Sequence, residues 1–561
     1  MKKHITRLLF AALLLLALCI GASAAGTSGK CGPSAYWSFD SSTGTLTISG
    51  SGAMEDYEYG NYPWMDYRNS IQTIVIGDQI TQIGWNAFPW TACSTIKFGK
   101  NVRSIGERAF NGCRNLNGDL TLPDSVQTIG AGAFQGCEKL SGDLTIPDSV
   151  QTIGDSAFEF CTGLNGTLTL GKNLRTIGKK AFSGCAFTGS LTIPEGVTEI
   201  AVGTFSSSRS NGMFTGTLTL PSMLKTIGAS AFSYTDFSGE LLIPDGVTSI
   251  GANAFKECDG FGGTLSLPDS VKTVGEWAFY LCKGFTGLKL SASLTKIEKL
   301  SFAHMYGLRT EVVIPEGVTE IGESAFSCSH MPSVRFPSTL KKIGKEAFYF
   351  SLNCKIAFPD GLEVIEDEAF ALCNVKSAVI LPASIKSIGK KAFDSDWSYG
   401  KHNDIPLGAY FLGAAPQIVG TLNANCSFPS DWTLNYLPGT SGWMGDTYEG
   451  YKIVPWDGET RWDNLYTHEF GYRDNKRNEI ETSWSVNTDT GKVTLTDDLN
   501  EGCVVAVSYD AEGRVTSIGV LRTKTDSVRL NLQDTCRLFL LNASSAPRLN
   551  TPVTINDYLP T

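Results

Sequence analysis

Histidine is scarce in this chain, with five in 561 residues. His4 falls in the cationic start of the chain, and His304, His330, His402 and His468 occupy unrelated places in the pattern described below. A histidine-based metal site or a Ser-His-Asp triad therefore has too few members to draw on. His468-Glu469 lacks the second histidine of a zinc-protease helix. Gly178-Lys179 lacks the Ser/Thr and the upstream glycine of a phosphate loop, and Gly-x-Ser-x-Gly does not occur past the leader. No catalytic, cofactor-binding or metal-ligating set is expected. Charge is sparse as well: Asp, Glu, Lys and Arg make up 18%, the formal net charge is -10, and no basic cluster occurs. Such a surface repels phosphate backbones, which excludes nucleic acid as a partner. Long hydrophobic runs are missing beyond the first twenty residues, so no transmembrane segment is expected once those are removed.

Those first residues read as an address. Lys2, Lys3 and Arg7 precede the apolar run Leu8 to Ile20, and Ala22-Ser23-Ala24 offers the small residues that a signal peptidase requires. Leu18 is bulky where a lipoprotein signal places a small residue before its cysteine, so cleavage near Ala25 is expected, with residues 1–24 as leader. The end, Asn556 to Thr561, lacks a sorting signal with a hydrophobic tail. The expectation is a secreted protein, or one held non-covalently at a cell surface.

What the chain does have is glycine, 59 residues, with frequent Thr and Ser, a profile that favours β-structure with many turns. It also has a repeat. Ile-Gly-x-x-Ala-Phe starts at Ile83, Ile105, Ile129, Ile153, Ile177, Ile227, Ile250, Ile321, Ile343 and Ile388, with relaxed copies at Ile200, Val274, Ile297 and Ile365. The fourteen anchoring phenylalanines run from Phe88 to Phe393 at spacings of 22 to 27 residues. In the copy from Leu120 to Cys137, Leu120-Thr121-Leu122 reads as a short alternating strand. Pro123-Asp124-Ser125 reverses the chain, Val126 and Ile129 return inward, Gly130 turns a corner, and Ala133, Phe134 and Cys137 close the coil. One such unit buries too little apolar surface to stand alone, so neighbours must stack into a shared core.

These residues resemble the BspA-like leucine-rich-repeat family of bacterial surface and secreted proteins, over Trp37 to Trp443. The fold class expected is mainly β: a solenoid of about 14 repeats at 71–400, an N-terminal cap at 25–70, terminal repeats and an aromatic-rich cap at 401–475, and a small β-sandwich-like domain at 476–561. In that last region Lys492–Thr496, Cys503–Tyr509, Val515–Leu521, Val528–Leu532 and Cys536–Leu540 read as strands, and Asp510 to Gly513 as a hairpin loop. The resemblance further implies binding or adhesion to host or other extracellular proteins. The irregular copy at Ile200 predicts a bulged loop near Ser206 to Gly212.

The outward strand position gives the candidate binding face: Thr121, Thr145, Thr169, Thr192 and Thr219, then Lys289 and Arg335. A row of hydroxyls and methyls suits a polymer, a glycan chain or a protein; the plainer reading is that Thr is a good strand former on a solvated face. A second row after the proline turn, Asp124, Asp148, Glu195, Asp245, Asp269, Glu316 and Asp360, carries carboxylates that bind Ca²⁺ in other settings. Interrupted at Gly171, Ser222, Ala292, Ser338 and Ala383, it reads as turn chemistry. Seven cysteines (Cys113, Cys137, Cys161, Cys185, Cys258, Cys282 and Cys373) each follow an anchoring Phe by three residues, which reads as a column of small buried apolar side chains rather than a disulfide framework. Tyr448, Tyr451, Trp456, Trp462, Tyr466 and Tyr472 suggest either an end plug or a sugar-stacking surface, and with the latter a glycan-binding or envelope-attached alternative in which the solenoid is a spacer.

Overall fold

The computed structural model describes residues 27–207, 213–351, 356–373, 379–394, 408–419, 427–429, 432–455 and seven further strands between 484 and 554. Residues 1–24, expected as a leader, and residues 208–212 of the expected bulge lie outside these. The chain forms two compact units, 1–237 and 238–561. The described residues hold strands, turns and a single 3-10 turn, Met65–Tyr67.

Each coil of the array follows the repeat. The segment Leu144–Thr145 pairs in parallel with Leu168–Thr169, Leu facing Leu and Thr facing Thr. Pro147 then closes a turn whose carbonyl accepts from Val150 N–H at 3.0 Å. A second short strand, Thr152–Ile153, pairs in parallel with Thr128–Ile129 on one side and Thr176–Ile177 on the other. Alternation sends Leu144, Val150 and Ile153 inward and Thr145 outward. Both strands are two residues long because the coil must turn again at once.

The third side is a turn that carries the motif phenylalanine. Along it, alternate amides bond within the coil and forward to the next one: Ser156, Phe158 and Phe160 N–H donate to the carbonyls of Lys179, Ala181 and Ser183 at 2.7–2.8 Å. This alternation needs left-handed residues two before and two after each Phe, such as Ser156 (φ 55°) and Phe160 (φ 60°). Most of these positions are not glycine, although αL costs a non-glycine residue roughly 1–2 kcal/mol. The Ile-Gly glycine stands at the corner between the second strand and this turn, and it also approaches the backbone of the coil before it. A Cβ on Gly178 would stand 2.3 Å from Asp155 N, so a side chain there requires a local shift of the backbone.

The core of each unit is an aromatic stack. In the first, Trp64 stacks on Phe88 at 5.2 Å, and Phe88, Phe110, Phe134, Phe158, Phe182, Phe205 and Phe232 follow at 5.2–5.6 Å with near-parallel rings. In the second, Phe255, Phe279, Phe302, Phe326, Phe348, Phe370 and Phe393 repeat the arrangement at 5.3–5.7 Å. Phe428 adds a further rung, 5.3 Å from Phe393. The sequence pattern did not mark it, because no Ile-Gly-x-x-Ala precedes it.

Both ends are covered. At the start, Ala35–Asp40 and Thr45–Gly50 form an antiparallel hairpin whose second strand pairs in parallel with Thr73–Ile76. Trp64 closes the stack, its indole N–H donating to Ala87 O at 2.8 Å. In the second unit Trp432 and Tyr451 pack on Phe428, and Trp443 stacks on Tyr436 with Tyr448 beside it. The aromatic residues at the head of the 444–475 stretch therefore plug an end; Trp456, Trp462, Tyr466 and Tyr472 lie outside the described residues. Farther on, Trp484–Asn487, Lys492–Leu495 and Ser527–Arg529 make one antiparallel sheet, and Cys503–Tyr509, Val515–Leu521, Thr535–Leu541 and Val553–Thr554 another, close to the strands read from sequence.

Candidate functional site

The seven residues of the expected binding face are all exposed at the outward strand position. They do not share one body: Thr121, Thr145, Thr169, Thr192 and Thr219 belong to the first unit, Lys289 and Arg335 to the second. Thr145 pairs with Thr169 and Thr192 with Thr219, strand to strand in parallel register, while Thr121 precedes the first paired strand. In the second unit Lys289 lies opposite Ser266 and Arg335 opposite Val313. Arg335 is engaged by Glu311 at 2.8 Å, an exposed pair worth little in stability.

The threonine row differs chemically from the columns beside it. One step earlier on the strand, Thr167 donates its hydroxyl to Asp143 at 2.9 Å, and its amide to the same oxygen; these bonds hold the Asp143 carboxyl below its usual range. Thr217 bonds Ser190 in the same column. At the proline turn Ser125 and Ser149 donate to Val102 and Val126 carbonyls at 2.6 Å. By contrast, no partner among the described residues engages the hydroxyls of Thr145, Thr169, Thr192 and Thr219. Four exposed hydroxyls in register, each with a methyl beside it, are open to a ligand.

The acidic row reads as turn chemistry in atomic detail. Asp148 accepts the Lys172 amide at 3.0 Å and its ammonium at 2.7 Å, which keeps the carboxyl below its ordinary value. Glu195 takes Ser222, Glu316 takes Ser338, and Asp269 takes the Ala292 amide. Each of these carboxylates caps the turn one coil on, and Ser222, Ser338 and Ala292 are positions where the row itself breaks. No cluster of three His, Cys, Asp or Glu suited to a metal occurs among the described residues.

The cysteine column is buried as expected, but its thiols are more than apolar filler. Cys137, Cys161 and Cys185 Sγ donate to the carbonyls of Phe110, Phe134 and Phe158 at 3.1–3.2 Å. Serine does the same work at Ser329, which reaches Phe302 O at 2.7 Å. Burial pushes the Cys161 thiol up to about 12, so it stays protonated and donating.

Two features escaped the sequence reading. In the first unit Asn111, Gln135 and Glu159 form a side-chain ladder, Asn111 to Gln135 at 2.9 Å and Gln135 to Glu159 at 2.7 Å, with Lys180 at 3.6 Å from Glu159. In the second, histidines at unlike repeat positions meet: Tyr306 lies between His304 and His330, with ring centroids 5.5 Å from each, and Tyr280 and Phe350 extend the row edge-on. Burial, helped by Lys283 and Arg309 respectively, lowers the pKa of His304 and of His330. The rings meet at steep angles and interlock, so they do not offer a flat stacking platform.

A family model described as BspA type leucine rich repeat region (6 copies) matches residues 62–142, 141–262 and 262–375. Among solved structures, a leucine-rich repeat protein from Bacteroides ovatus is 21% identical with a TM-score of 0.49, over 72% of this chain and 98% of that one. A leucine rich cell surface protein from Faecalibacterium prausnitzii is 27% identical with a TM-score of 0.35, over 57% of this chain and 91% of the other. A leucine-rich repeat protein from Eubacterium ventriosum is 21% identical with a TM-score of 0.36, over 67% of this chain and 97% of that one. No curated relative matches the chain.

Proposed function

Because the chain belongs to the BspA-type leucine-rich-repeat family, we propose that it is an exported binding protein whose first unit holds an extracellular protein ligand against the outward threonine row. The observation that carries this reading is the set of four exposed hydroxyls, Thr145, Thr169, Thr192 and Thr219, that no described neighbour engages while adjacent polar columns are bonded along the stack. Hydroxyls and methyls in strand register offer hydrogen bonds and apolar contact to an extended surface, with little rotamer entropy to lose. No helix among the described residues is long and apolar enough to cross a membrane, and the leader read at residues 1–24 supplies the route out of the cell.

Arrays of extracellular matrix proteins and glycans, probed with protein lacking residues 1–24, test the reading. Retention on a protein spot, lost when Thr145, Thr169 and Thr192 are all changed to Lys, supports it. Retention that survives the triple change, or appears only on glycans and disappears when the chain is cut after residue 455, moves the function to the C-terminal region. No retention on any spot argues against a binding role altogether.

A further inference from the structure

One pair of thiols departs from the column. Three residues after the anchoring Phe88 the chain has Thr91, not Cys, and Cys93 follows five residues after that Phe, near where the next coils place buried leucines, Leu116, Leu140 and Leu164, six residues after their own. The step from Phe88 to Phe110 is 22 residues against 24 for the following ones, which leaves no room for the longer excursion. Cys93 is thereby drawn in beneath Cys113 of the next coil. Thr91 Oγ stands 3.2 Å from Cys93 Sγ and 3.2 Å from Cys113 Sγ. Both thiols are fully buried.

We propose that Cys93 and Cys113 are a disulfide-forming pair that fastens the first coil to the second, with a small-molecule disulfide or a protein thiol–disulfide oxidoreductase as oxidant. Cys113, Cys137, Cys161 and Cys185 lie in one column, each donating to the Phe carbonyl of the coil before it, a poor geometry for bridging one another. Cys93 comes to its neighbour from a different offset. The pair is also chemically unequal: hydrogen bonding from Cys113 and Thr91 holds the Cys93 thiol below its ordinary range, while burial holds Cys113 above it. Exchange with the oxidant requires local opening of this part of the array, since both thiols are buried, and begins at Cys93, which comes from the other offset. Cys93 Sγ attacks one sulfur of the oxidant RSSR, forming a mixed disulfide and releasing RS⁻. Cys113, on losing its proton, attacks Cys93 Sγ and expels the second RS⁻. The protein loses two electrons and two protons, and the oxidant becomes two RSH.

The position gives the bond its consequence. The coil of Phe88 is the first to carry the repeat motif and lies between the N-terminal cap and the regular stack, so its hold on the Phe110 coil bears on how the array opens near that end. A link between the coils of Phe88 and Phe110 closes a loop of about twenty residues there and removes open conformations from it.

A redox titration of the full chain puts this to the test. Protein purified reduced is equilibrated with mixtures of oxidised and reduced glutathione, acid-quenched, alkylated in denaturant and peptide-mapped. The expected result is a single link, Cys93 to Cys113, with Cys137, Cys161 and Cys185 alkylated, and a melting midpoint several degrees higher in the oxidised form. In Cys93→Ser the link and the redox dependence of the midpoint both disappear. Alkylation of both residues as free thiols at every poise, a link from Cys113 to Cys137, or a redox-dependent midpoint that persists in Cys93→Ser would each overturn the proposal. Mapping of the unmodified chain decides the matter even if the variant folds poorly.

Discussion

Phe158 and Phe182 stack with centroids 5.4 Å apart and planes within 2° of parallel. Phe134 lies 5.3 Å away on the other side, and all three rings are fully buried. A ring sandwiched in this way has no space to collapse into when it is removed, so Phe158→Ala should cost roughly 3–5 kcal/mol. Since each coil touches only its neighbours, the loss should be local first. Hydrogen exchange is expected to quicken at the amides of residues 134–182 before those of the N-terminal cap. Uniform loss of protection over residues 27–237, or a cost below about 1 kcal/mol, would contradict the shared-spine account.

Gly178 tests the spacing of the coils. A Cβ there meets Asp155 N at 2.3 Å and Gly154 C at 2.5 Å, backbone atoms that cannot swing aside. Three coils carry Ala201, Glu298 or Glu366 at the equivalent position, so the clash can be housed by a local shift. Gly178→Ala is therefore expected to destabilise by about 1–3 kcal/mol rather than to unfold the protein. Denaturant titration checks this; a neutral result would mean that the glycine is there for another reason.

Ser156 makes the opposite prediction. Its backbone sits at φ 55°, where a Cβ is strained and glycine is not. Ser156→Gly should raise stability by roughly 0.5–1 kcal/mol after the extra freedom of the unfolded chain is allowed for, whereas Ser156→Ala should give no gain. Equal effects of the two changes in a thermal melt would remove strain from the explanation.

The contrast between Gly178 and Ser156 shows where the sequence could be read. Repetition exposed the phenylalanine stack, the inward Leu, Val and Ile, and the outward threonines, because burial has a fixed period whatever the turns do. It did not reveal which residues take positive φ: the forward hydrogen bonds of the turn impose that conformation on Ser156, Phe160 or Leu281 alike. Phe428 was missed because its rung has lost the motif around it. The Tyr306–His330 contact joins residues 24 apart that share one column of the turn, and the Cys93–Cys113 approach arises from a shortened step; neither shows until coils are placed in register. The threonine row was visible, but that no described residue engages the hydroxyls of Thr145, Thr169, Thr192 and Thr219 emerges only once the neighbouring columns are placed beside them.

The histidines give a pH dependence. His304 Nδ1 lies 2.5 Å from Tyr306 Oη, and both His304 and His330 have pKa values lowered from the ordinary 6.5, chiefly by burial. Above that value folded and unfolded chains are both neutral at these sites, so stability should not respond to them. Below it the unfolded chain takes up protons that the folded one resists, so the unfolded state gains as pH falls until the lowered folded values are passed. The melting midpoint should therefore start to drop as pH falls below about 6.5, above the range in which Asp78, Asp143, Asp148 and Glu363, all with lowered values, lose their own contributions. His304→Gln and His330→Gln together should flatten the upper part of this profile and leave the acid limb in place. A midpoint that falls just as steeply in the double variant would show that the Tyr306 cluster does not govern the response.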